Sequence, residues 1–240
     1  MDPVQRSWYR LLPWVTAFAV AMGFLESAVV VYLRALYYPD GFNFPLVPMD
    51  TTLVLMELLR EFATLVMLLA PGALIAKGRM ERFAWFCWAF AVWDLFYYVF
   101  LKVLLGWPES FFTWDVLFLL PTVWVGPVLA PCMVSFGMLG LAAVILHGRI
   151  RMPNYGPTRV QWSLLIGAGA IMLYTFMSDP IRYLRTLEPG RGVEATGMSA
   201  LADYVPVSFQ WPLFLSAGVI ACVALFSMLR DTRRATAKGH

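Results

Sequence analysis

The chain has 240 residues, 60% of them hydrophobic and 14% charged, with a mean hydropathy of +0.69. That is far more apolar than a soluble domain and marks a polytopic membrane protein. The net charge of +3 sits in short segments between apolar runs, where it reports membrane orientation, and no nucleic-acid partner is expected.

Apolar runs long enough to cross ~30 Å of hydrocarbon at 1.5 Å per residue occur at 11–36, 52–76, 83–105, 128–147, 160–181 and 209–229. The expected fold is all-α: a single integral membrane domain over 1–240, with six transmembrane helices and an extra interfacial or re-entrant segment before the fourth. Arg6 and Arg10 ahead of the first run imitate a signal peptide, but the run is too long for one and carries Glu26, so it is expected to remain as a span.

With both termini in the cytoplasm of a bacterial-type inner membrane, every basic segment falls on one side. These are Arg6 and Arg10, then Lys77, Arg79 and Arg82, then Arg149, Arg151 and Arg159, then Arg230, Arg233, Arg234 and Lys238. The opposite side receives three loops rich in Pro, Gly, aromatic and acidic residues. Their Trp and Tyr residues are expected to form an interfacial belt; Trp107, Trp114 and Trp124 have lining a vestibule as the alternative to that anchoring.

Between the third and fourth runs, Asp115 to His147 is apolar for 33 residues, with Pro121, Pro127 and Pro131 in its first half. That is too long for one upright helix and too short for two, so 113–126 is expected not to span; a kinked long helix is the competing reading. In the fifth run, Asp179-Pro180 either starts a new surface helix or kinks a continuous one.

A weak repeat links the odd-numbered runs. Glu26 is followed eight residues later by Arg34 and then Pro39-Asp40-Gly41-Phe42, and Asp94 eight residues later by Lys102 and then Pro108-Glu109-Ser110-Phe111. Tyr183-Leu184-Arg185 forms a partial third copy with its acid at Asp179, which suggests three hairpins in parallel.

The chemistry lies in the charges. Glu26, Arg60, Glu61 and Asp94 fall at one depth, ~12 to 16 Å from the outer boundary, and each costs roughly 2.5 to 3.5 kcal/mol near the bilayer centre. Glu57, Arg60, Glu61 and Thr64 form a stripe at helical period, as do Asp94, Tyr97, Tyr98 and Lys102. The candidate binding set is therefore Glu26, Glu57, Arg60, Glu61, Asp94, Tyr98 and Lys102, a single cluster centred on Arg60. Six outer-half acids, Asp115 and Asp179 included, face four bases, so not every carboxylate has a private partner. Arg34, and on its bland reading Lys102, are expected to snorkel to headgroups. The small-residue sets Gly137 with Gly140, and Ser163 with Gly167 and Ala170, are expected to be close helix-packing seams.

Cys87, Cys132 and Cys222 lie in separate runs and the histidines are His147 and His240, so no metal site, haem or other cofactor is expected. No Gly-rich phosphate loop, nucleophile elbow or HExxH occurs. Three readings follow. One is a transporter or channel-like protein for a proton, a cation or a small polar solute. Another is a non-catalytic subunit of a respiratory or photosynthetic assembly, and the third a carboxylate-dependent intramembrane enzyme acting on a lipid or isoprenoid. The first leads, and catalysis is the less favoured role. The expected partners are membrane lipids, with other membrane subunits or further copies of the chain as additional candidates.

Overall fold

The computed structural model describes residues 3–120, 122–152, 154–186 and 203–238. Six helices and one β-hairpin make up these residues: α1 (Pro3–Tyr37), α2 (Thr51–Ile75), α3 (Arg79–Leu105), β1 (Trp114–Phe118), β2 (Trp124–Pro127), α4 (Leu129–Arg151), α5 (Arg159–Thr186) and α6 (Trp211–Lys238). Five of the helices, all except α2, contain stretches long and apolar enough to cross a membrane by length and composition. The 25 residues of α2 amount to ~37 Å of helix, but its N-terminal half carries Glu57, Arg60 and Glu61.

Local signals account for the helix ends. Asp50 caps α2, its carboxylate accepting the Thr52 amide at 3.0 Å. Gly106 ends α3 in the left-handed region at φ 68°, where a side chain is disfavoured. Pro180 does not break α5, which continues through it to Thr186, so the alternative of one continuous helix holds over a separate surface helix.

Helix α3 is the hub, packing against α1, α2 and α4; α5 and α6 form a second pair that meets the rest mainly through α4 and β2. Two glycines set the closeness of the first group. A Cβ on Gly23 would sit 2.9 Å from the Trp93 carbonyl, and one on Gly72 would sit 2.7 Å from the Arg82 carbonyl, so α1 and α2 touch α3 backbone to backbone. The expected seams behave differently. Added Cβ atoms at Gly137 and Gly167 meet nothing within 4 Å, and at Gly140 only a leucine methyl at 3.7 Å, while Ser163 and Ala170 are exposed. These small residues widen a surface and do not seal one.

The segment before α4 is a two-stranded antiparallel hairpin, with a register shift between Val116 and Phe118. Its loop neighbours satisfy the start of α4: the Val128 and Leu129 amides donate to the carbonyls of Thr113 and Phe111 at 3.0 and 2.8 Å.

The two ends of the molecule differ. At one end the segments after α1 and α3, Tyr204 and the start of α6 interlock through rings, Phe42 on Trp107, Phe44 on Tyr204 and Phe112 on Trp211. At the other end α3, α5 and α6 are tied by Phe83 on Trp162 and by Gln161 donating to Ser227 and Asp231. Arg79, Arg82, Arg149, Arg159, Arg230, Arg233 and Arg234 all belong to helix termini at this second end.

Candidate functional site

Helical period places Glu26, Val30 and Arg34 on one face of α1, the stripe Glu57, Arg60, Glu61 and Thr64 on one face of α2, and Phe90, Trp93, Asp94, Tyr97 and Tyr98 on one side of α3. These faces converge with Asp115 to Leu119 of the hairpin on a single cavity of about 200 Å³. Ser135 of α4, Trp124 of β2 and Phe176 of α5 complete its wall.

Of the seven candidate residues, six line this cavity. Lys102 does not: it is exposed, and its ammonium donates to the Gly106 and Pro108 carbonyls at 2.9 and 2.8 Å, closing the end of its own helix. Asp179 is likewise elsewhere, paired with Arg182 at 3.2 Å and accepting the Tyr204 hydroxyl at 2.7 Å and the Val207 amide at 3.3 Å. It anchors the loop before α6. Burial first, then the bond to Asp179, holds the Tyr204 hydroxyl well above its ordinary pKa.

The cavity has two cationic centres where one was expected. Arg60 pairs with both Glu26 and Glu57, the latter through Nε and Nη2 at 3.0 and 2.7 Å. Thr64 also donates to Glu26, at 3.2 Å. The second centre is Arg34, which corrects the expectation that it snorkels: only 8% of it is exposed. Its guanidinium stacks 3.8 Å from the centroid of a Trp107 ring and 4.6 Å from that of Phe42, and faces Asp115 at 3.9 Å. Asp115 also accepts the Tyr98 hydroxyl at 3.2 Å. The physical reason is that the hairpin carries a carboxylate inward to face the guanidinium while the Trp107 and Phe42 rings cover it, so the buried charge has partners. Trp107 is buried with it and Trp124 lines the cavity, so neither belongs to an exposed belt.

Glu61 and Asp94 are different. Both Glu61 oxygens accept the Leu119 amide, at 2.9 and 3.1 Å, where the strand pairing of the hairpin gives out. A backbone donor shielded from water needs such an acceptor. Asp94, 8% exposed, accepts the Ser135 hydroxyl at 2.7 Å. Neither has a cationic group within 4.0 Å among the described residues. Five carboxylates and two guanidiniums therefore surround the cavity, an excess of three acids.

Also lining the cavity, Tyr38 accepts the Val47 amide at 2.8 Å, and burial raises its hydroxyl pKa against that bond. Among the described residues no cluster of three or more His, Cys, Asp or Glu has metal-binding geometry.

Sequence reasoning missed Arg34, Asp115 and Ser135 as wall residues. The eight-residue spacing that pairs Glu26 with Arg34 was the available signal for the first. An acid opening a segment that does not form a helix was the signal for the second. Ser135 carries no signal, since a lone serine in an apolar helix is unremarkable.

No protein-family model, curated protein or solved structure matches the chain.

Proposed function

We propose that this is a six-span inner-membrane protein with both termini cytoplasmic, and that its charged cavity binds and moves a small cation, the proton included, reached from the outer side. The reading rests on the excess of carboxylates: once Arg60 and Arg34 are committed, Glu61 and Asp94 are left to be neutralised by a proton or a ligand cation. The rings of Trp93, Tyr97 and Trp124 around them suit an organic cation as well as a hydrated one. In this reading the hairpin enters from the outer face, α2 is a full span, and the concentration of arginines at one end sets the orientation.

Rapid solution exchange over the protein in liposomes, read as charge displacement, tests it with sodium, potassium, ammonium and tetramethylammonium ions and with pH steps. The expected result is a current for at least one cation or for protons, lost in Asp94→Asn and Glu61→Gln and kept in Lys102→Met. Failure of every cation and pH step to evoke a current from folded protein overturns the reading. Orientation is tested separately on a Cys222→Ala background: a membrane-impermeant thiol reagent should modify Asn43→Cys and spare Asn154→Cys.

A further inference from the structure

The second feature of interest lies away from the charged cavity and shares with it only Val134. Helices α4, α5 and α6 leave between them a groove of about 1340 Å³, lined almost throughout by apolar and small residues. Its width comes from glycines: added Cβ atoms on Gly137 and Gly169 meet nothing within 4 Å, and on Gly218 only a methionine methyl at 3.9 Å.

Leu215, Val219, Val223, Phe226, Arg230 and Arg234 follow one another along α6 at steps of three or four, so they form one continuous face. The first four are exposed apolar side chains, at 46, 63, 56 and 69%. Arg230 and Arg234 line the groove's end, and with Arg233 they also line an adjoining hollow. Asp231 lies at the same end, but its carboxylate accepts the Gln161 amide at 2.8 Å. Among the described residues, no carboxylate comes within 4.0 Å of the three arginines.

We propose that the groove binds one anionic phospholipid, with an acyl chain laid along Gly137, Gly169 and Gly218 and the phosphate held by Arg230 and Arg234. The dimensions agree. Val219 to Arg230 spans ~16 Å of helix, about the hydrocarbon depth of one leaflet, half of ~30 Å. Charge complementarity selects the headgroup, because the basic end of the face offers uncompensated positive charge where the apolar part stops. This site is independent of the cation reading.

Native mass spectrometry of the delipidated full-length protein tests it, with phosphatidylglycerol and phosphatidylcholine of identical palmitoyl and oleoyl chains. The expected preference for phosphatidylglycerol is about thirtyfold, from ~1 kcal/mol per arginine near the surface. The double variant Arg230→Ala, Arg234→Ala should abolish that preference, whereas Arg79→Ala, Arg82→Ala should keep it; all four arginines are exposed, so the fold is not at stake. Gly169→Leu should weaken retention of both lipids alike by filling the groove. Equal retention of the two lipids by the wild type overturns the proposal, as does a preference that survives loss of Arg230 and Arg234. A dimer that Gly169→Leu splits without changing lipid retention also overturns it, and assigns the groove to a second copy of the chain.

Discussion

The two halves of this bundle treat polar groups and glycine in opposite ways. Around α3, with α1, α2 and the hairpin against it, charges are drawn inside and glycines press backbones together. Around α4, α5 and α6, charges lie in the terminal turns, and Gly137, Gly140, Gly167, Gly169 and Gly218 face open space or a single methyl group, although Gly148 packs on the Tyr155 ring. A glycine in an apolar helix therefore means nothing by itself. Its effect depends on whether a neighbouring backbone occupies the volume that a methyl group would take.

Removing the cation of the first half should have the largest effect. Arg60→Met leaves Glu26 and Glu57 uncompensated and should cost about 3 to 5 kcal/mol, the range for breaking a buried pair. Reversible unfolding in mild detergent measures it, and the additional change Glu26→Gln should recover part of the loss. A drop of under about 1 kcal/mol would show the triad to be solvated and not structural.

Glu61 gives the next effect, since its structural duty is to accept an amide. Glu61→Leu strands the Leu119 N–H and should cost about 1 to 3 kcal/mol, whereas Glu61→Gln keeps an acceptor oxygen and should cost much less. Amide hydrogen exchange at Leu119 distinguishes the two: fast exchange only in the leucine variant is the expected pattern. Equal stabilities would detach the hairpin from α2.

The glycines sharpen the contrast most directly. Gly72→Ala drives a methyl into the Arg82 carbonyl and should destabilise by about 1 to 3 kcal/mol. Gly137→Ala meets nothing and should stabilise by about 0.5 to 1 kcal/mol, through the reduced backbone freedom of the unfolded chain. Opposite signs in thermal unfolding are the expected result; the same sign in both would mean that the two halves pack alike. The smallest effect belongs to Lys102→Met, within about 0.5 kcal/mol, because the ammonium serves only exposed carbonyls at the helix end.

Much of the site was readable before any contact was known. Glu26, Arg60, Glu61 and Asp94 line one cavity at matched heights along their helices because rise per residue converts position into height, and the stripe on α2 shares a face because helical period converts spacing into direction. The partners were not readable. Lys102 stands where the repeat puts an equivalent of Arg34, yet one base caps its own helix and the other turns inward. That difference depends on Asp115 and Trp107, brought to Arg34 by the hairpin and the loop ahead of it.

Length, composition and the period of the polar positions determined that this chain is a bundle of long apolar helices, suited to a membrane, with charge midway along three of them and bases gathered toward one end; these are local properties of a hydrogen-bonded helix. Only the tertiary structure decided that the segment before α4 is a β-hairpin, that Glu61 supports it, that Arg34 is buried and that Gly137 and Gly169 open a groove. Each of these depends on which distant backbone or carboxylate arrives at a given side chain, and the free energy of burying a charge or an amide is set by that arrival and not by the residue alone.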